Sequence, residues 1–178
     1  MYDVVLLIEQ ELSALDAQQV LALHEGLELE DERVSYHVLL PVEEASSHVH
    51  AALGSIARHE MTPPADSLTP ETLARLDAEL VTETQAGLER SLELLRTGGH
   101  VADGELTHGD PVGRLVRVSQ DHDAAEVIVL TAPHGVQQFL HTDWTSKARR
   151  VLGIPILHLL EHETFDEQAG GGEGVSGM

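Results

Sequence analysis

A three-layer α/β domain, with a doubly wound parallel five-stranded sheet between helices, is the fold class the sequence predicts. Three observations predict it. Short apolar runs rich in branched residues, such as "DVVLLIE", "VSYHVLLPV" and "EVIVLTA", read as strands buried on both faces. Segments with helical spacing separate these runs, and strands alternating with helices make a parallel sheet. A chain of 178 residues that is 42% hydrophobic is long enough to bury one core.

The first strand is expected at residues 3–9. "LSALDAQQVLALHEG" follows as a helix, with Ser13 and Asp16 as a cap-like start, Leu15, Val20 and Leu23 as apolar positions and Gly26 as a stop. The acidic "LELEDER" connects to the second strand, "VSYHVLLPV", and "ASSHVHAALGSIARHE" is a helix that Ser46 or Ser47 can cap. "MTPPADSLTP" is a proline loop. Thr69, Pro70 and Glu71 then open a helix of roughly seven turns, striped by Leu73, Leu76, Leu80, Leu88, Leu92 and Leu95.

"HVADGELTH" is a weak edge strand, and "DPVGRLVRVSQDHD" is a helix with Asp110 at its cap and Pro111 at its first position. "VLTAPHGVQQFLHTDWTSKARRVLGIPILHLL" supplies a strand, a loop, a short helix capped by Asp143 and a last strand over residues 154–160. Residues 1–163 form a single domain, followed by a flexible acidic and glycine-rich tail at 164–178. Residues 3–9 should lie in parallel beside 35–42, with 127–131 on the other side and 154–160 beyond.

Charge narrows the function. Thirty-one acidic residues against ten basic ones leave a formal net charge of −21, which repels nucleic acid and anionic membranes. No apolar run reaches the roughly 20 residues of a membrane helix, so a soluble, cytoplasmic protein is expected. The absence of cysteine removes thiolate catalysis and cysteine zinc sites. The pairs His48 with His50, His158 with His162, and His134 with His141 lack a ligand-forming pattern, so no metal is expected. No nucleophile elbow appears, and no catalytic residue is assigned.

Three stretches, "HVLLPVEEASSHVHAALGSIA", "THGDPVGRLVRVSQDHDAAEVIVLTA" and "HTDWTSKARRVLGIPILHLL", resemble in pattern and order the signature regions of the universal stress protein family. Gly109, Asp110 and Pro111 match the family's Gly-Asp-Pro, the apolar 126–130 segment its fourth strand, and Pro155 the approach to its last. The resemblance spans residues 34–160 and implies an adenine nucleotide alpha hydrolase-like fold. Within it, residues 1–33 are an extra strand and helix, the N-terminal strand replacing the family's usual second strand.

ATP-binding relatives resemble Gly-x-x-Gly, nine residues, then Gly-Ser or Gly-Thr, because bare backbone must approach the phosphates. Here Thr131 and His134 stand at the first two glycines and Thr142 and Asp143 at the last pair, in a loop two residues shorter. Asp143, as a helix cap, occupies the amides a phosphate would use. Two unit charges 4 Å apart repel by about 4 kcal/mol at a dielectric of about 20, more than the ~0.3–1 kcal/mol a helix dipole offers.

The expectation is therefore a regulatory or binding protein acting through dimerisation, without ATP or any other cofactor. The alternative is a functional ATP or AMP binder, with adenine near Pro41, Val42 and Glu43 and the ribose or phosphates near Thr131, Ala132, His134, Gly135, Thr142 and Asp143. A small hydrolase using the loop histidines is a further alternative. The partner expected is a second copy, paired through "IPILHLL" at Ile154, Ile156 and His158, as the resemblance also implies; an unknown protein partner is the other candidate.

Overall fold

A computed structural model of the chain describes residues 1–25, 33–42, 69–131 and 150–161. The expected helix at 45–60, most of the proline loop, the loop from 132 to 149 and the tail at 164–178 lie outside these residues. The described elements are β1 (Tyr2–Ile8), α1 (Ala14–Ala22), β2 (Val34–Pro41), α2 (Pro70–Arg96), β3 (Val101–Thr107), α3 (Pro111–Asp121), β4 (Glu126–Thr131) and β5 (Ile156–Leu160).

The five strands form one parallel sheet in the order β3-β2-β1-β4-β5. The N-terminal strand lies beside β2, as expected, running from Tyr2 opposite Val34 to Leu7 opposite Leu39. It also pairs with β4, from Val4 opposite Glu126 to Ile8 opposite Leu130, which makes it the middle strand of the sheet. Its burial agrees: Val4 to Ile8 are at most 1% exposed.

Alternation of side chains sends the two faces of each strand into different cores. Val4, Leu6 and Ile8 pack with Tyr36, Val38 and Leu40 under Val20 of α1 and Leu88, Leu92 and Leu95 of α2. Val5 and Leu7 pack with Leu39, Val127 and Val129 under Leu115 and Val118 of α3. Helices on both faces give three layers.

Local chemistry sets the helix ends. Ser13 and Asp16 form a reciprocal capping box at the start of α1, as their spacing predicts. The helix then ends at Ala22, and its buried positions are Asp16, Ala17, Gln19 and Val20; Leu15 and Leu23, expected to face the core, are 38% and 36% exposed. Thr69 caps α2 and Pro70 opens it, while Asp110 caps α3 by accepting from the Gly113 N–H at 2.9 Å. The leucine stripe of α2 is graded: Leu88, Leu92 and Leu95 are buried, while Leu73, Leu76 and Leu80 are half-buried.

Gly104 lets β3 approach β2 beneath α2. A Cβ there would stand 2.6 Å from the Val38 carbonyl oxygen and 3.1 Å from Leu88 Cδ1, and backbone cannot swing away as a side-chain tip can. Gly104→Ala should therefore cost about 1–3 kcal/mol, the range for overpacking, read as a lower urea midpoint at unchanged slope.

Candidate functional site

In an open α/β sheet a ligand sits beyond the carboxyl ends of the strands, where the strand order reverses. The chain runs outward from β1 through β2 to β3 and then returns to β4, so the reversal lies between β1 and β4. Glu9 and Gln10 follow β1 there, Thr131 ends β4, and Glu161 follows β5. The Glu9 N–H donates to the Leu130 carbonyl at 3.1 Å, and the Glu161 N–H to the Thr131 carbonyl at 2.9 Å.

This turn after β1 is held by side chains. Arg90 of α2 makes a two-pronged ion pair with Glu11, at 2.6 and 2.5 Å, and holds its carboxyl below the usual range. Ser91 Oγ accepts the Leu12 N–H at 3.0 Å. Gln10 Nε2 donates to Glu161 Oε2 at 2.5 Å.

Glu161 is 1% exposed, and its Oε1 has no hydrogen-bond partner among the described residues. Burial pushes its carboxyl up to about 7, against the hydrogen bond from Gln10; the charges of Glu9 and Asp16 add to the rise. Three carboxyls, those of Glu9, Asp16 and Glu161, thus gather at this end of the sheet, the last two buried.

The expected nucleotide residues are distributed differently from the sequence reading. Pro41 and Val42 are half-buried at the end of β2, where the Val42 N–H donates to the Thr107 carbonyl at 2.9 Å. Thr131 is buried at the end of β4, and its hydroxyl meets His158 Nε2 at 2.9 Å. β1 stands between these two ends, two strand spacings or roughly 10 Å apart, so the first βα turn faces Thr131 where residues 41 and 42 were expected to. Glu43, Ala132, His134, Gly135, Thr142 and Asp143 lie outside the described residues.

Of the expected interface residues, Ile156 is only 7% exposed and belongs to the α3-side core, and Ile154 packs against the same core. His158 is exposed at the sheet's edge, though desolvation of its ring still lowers its pKa.

Two histidine clusters emerged that no local spacing signals. Beneath α1, the ring of His24, 2% exposed, places Nε2 2.7 Å from Glu126 Oε1 and Nδ1 2.8 Å from the Tyr36 hydroxyl. Nδ1 also lies 3.1 Å from the Val20 carbonyl oxygen. On the α3 side, His37 Nδ1 lies 2.7 Å from Asp103 and Nε2 3.2 Å from Asp3, and its ring stacks on His122 with centroids 3.6 Å apart.

A cavity of about 140 Å³ opens beside this second cluster, lined by His37, Asp103, Glu105, Arg114, Asp121 and His122. Its main polar groups answer one another: Arg114 forks onto Glu105, lowering that carboxyl's pKa, and His37 meets Asp103. Among the described residues no group of three or more His, Cys, Asp or Glu could hold a metal ion, and no helix is long and apolar enough to cross a membrane.

No family model and no curated protein matches the sequence. Solved structures do match. The chain is similar to hypothetical protein MJ0577, with a TM-score of 0.59 at 15% identity over 92% of this chain and 99% of that one. It is similar to a universal stress protein family protein from Arabidopsis thaliana with AMP bound, at 0.53 and 9% identity over 91% and 93%. It is also similar to the universal stress protein of Archaeoglobus fulgidus, at 0.50 and 11% identity over 89% and 93%. The chain has the universal stress protein fold.

The two histidines should differ in their contribution to stability. His24→Ala leaves the fully buried Tyr36 hydroxyl and the Glu126 carboxylate without their shared partner and should cost about 3 kcal/mol. His37→Ala exposes Asp3 and Asp103 to water and should cost about 1–2 kcal/mol. Urea unfolding at pH 7 measures both.

Proposed function

We propose that this chain is a regulatory or binding protein of the universal stress protein fold that acts through self-association and does not bind ATP. One observation carries the second half: the carboxyls grouped at the strand-order reversal are those of Glu9 and of the buried Glu161 and Asp16. The Arg90 guanidinium, which could have answered a phosphate, is committed to Glu11. A nucleoside triphosphate entering there would bring several negative charges beside these acids, at about 4 kcal/mol for each pair of unit charges 4 Å apart. The glycine-poor loop and the Asp143 cap predicted from sequence act in the same direction.

The AMP bound in the Arabidopsis protein of the same fold favours the second reading, an adenine-nucleotide binder. Isothermal calorimetry separates the two. ATP with magnesium, and AMP alone, should show no binding tighter than about 1 mM, or about −4 kcal/mol. Micromolar affinity for either promotes the second reading.

Self-association is supported by β5. It is an edge of the sheet, and its Pro155 carbonyl and Glu161 N–H both face β4. Alternation along the strand turns the N–H of His158 the other way, toward the edge that pairs with no described strand. A twofold axis would let each copy's β5 pair with the other. Light scattering should find a dimer at tens of micromolar, and His158→Pro, which removes that outward donor and the ring's contact with Thr131 but no backbone bond to β4, should yield a folded monomer. A monomeric unmodified chain, or a dimer that survives the proline, would show that β5 is not the interface. A charge at Ile156 would instead damage the core.

A further inference from the structure

We propose that Glu161 is a proton-operated latch: as the neutral acid it ties the carboxyl end of β5 to the turn between β1 and α1, and on ionisation it releases that turn. The geometry has three parts. Glu161 follows β5 and reaches across the end of β4 to Gln10, which follows β1, so one side-chain contact spans three strands. The carboxyl is 1% exposed, yet Oε1 has no partner among the described residues. The described ionisable groups facing it are acids: Glu9 at the end of β1 and Asp16 on α1, the latter held by the Ser13 N–H and hydroxyl.

From β4 the neighbour is the Thr131 carbonyl, which takes the Glu161 N–H. His158 of β5 contacts the Thr131 hydroxyl, and no described lysine or arginine pairs with Glu161.

The neutral acid fits this site. An ionised carboxylate would keep the Gln10 bond but lose its hydration beside two acids, and an uncompensated buried charge costs more than one hydrogen bond to it returns. The carboxyl pKa of about 7 follows that balance. Escape to water is open only if the side chain leaves Gln10, and the turn then loses one of its three side-chain ties.

The sign is fixed by linkage. The folded pKa lies above the ordinary value of 4.5, so the contribution to stability is full below pH 4.5 and is lost as pH rises through about 7. The device therefore works around neutrality, independently of whether the crevice accepts a nucleotide.

Carbon-13 NMR of the full chain should show the Glu161 carboxyl titrating near pH 7. Hydrogen exchange corrected for intrinsic rates should show protection of the Glu9 and Glu161 amides falling at least tenfold between pH 6 and pH 8.5. Glu161→Gln, neutral at every pH, should hold the high protection throughout. Gln10→Ala should show at pH 6 the low protection of the unmodified chain at pH 8.5, which keeps the test decisive if the Glu161 variant does not fold. A midpoint below pH 5, protection that survives ionisation, or the same loss in Glu161→Gln would overturn the latch.

Discussion

The whole molecule depends on one strand being buried on both faces and paired on both edges. β1 joins β2 to β4, and so joins the part of the chain that builds one side of the sheet to the part that builds the other. Its alternate side chains also seed both cores, Val4, Leu6 and Ile8 on one face and Val5 and Leu7 on the other. Each such side chain is worth about 1.5–3 kcal/mol when fully buried. A polar residue among Val4 to Ile8 would be a defect in the core on the face it points to.

That burial has a consequence for the turn that follows. Because β1 is locked, residues 10–12 emerge at a fixed point at the reversal in strand order, and each is then tied to a different partner: Gln10 to Glu161, Glu11 to Arg90, Leu12 to Ser91. In phosphate-binding α/β proteins this turn offers bare amides from a glycine loop. Here the same place in the fold is occupied by side chains that bind one another, and its electrostatics follow from carboxyl groups.

The strands were legible because they obey the plainest rule in the sequence, a continuous apolar run bounded by polar residues. The adjacency of residues 3–9 to 35–42 and the caps at Ser13, Thr69 and Asp110 followed from equally local chemistry. The site was much less legible. Gln10 and Glu161 are 151 residues apart in sequence, His24 and Glu126 are 102 apart, and no spacing rule reaches across such distances. The two strand ends chosen as the ligand crevice, after β2 and after β4, were separated in space by β1. One signal for that was present: "VVLLI" is the most uniformly apolar run of the chain, as a central strand must be, and the glutamates that follow it belong to the crevice.

The two rims of the sheet are unlike. β3 carries Asp103 and Glu105 with exposed or half-exposed side chains, whereas the described residues of β5 carry no carboxylate until Glu161, beyond the strand. Strand addition at β3 would bring like charges together, and at β5 it would not. A sheet with only one receptive rim cannot propagate: once that rim is taken by a second molecule of the same kind, what remains outward on both is the acidic one. Growth would therefore terminate at a closed pair, and the asymmetry of the described rims would bound the size of any assembly built through β5.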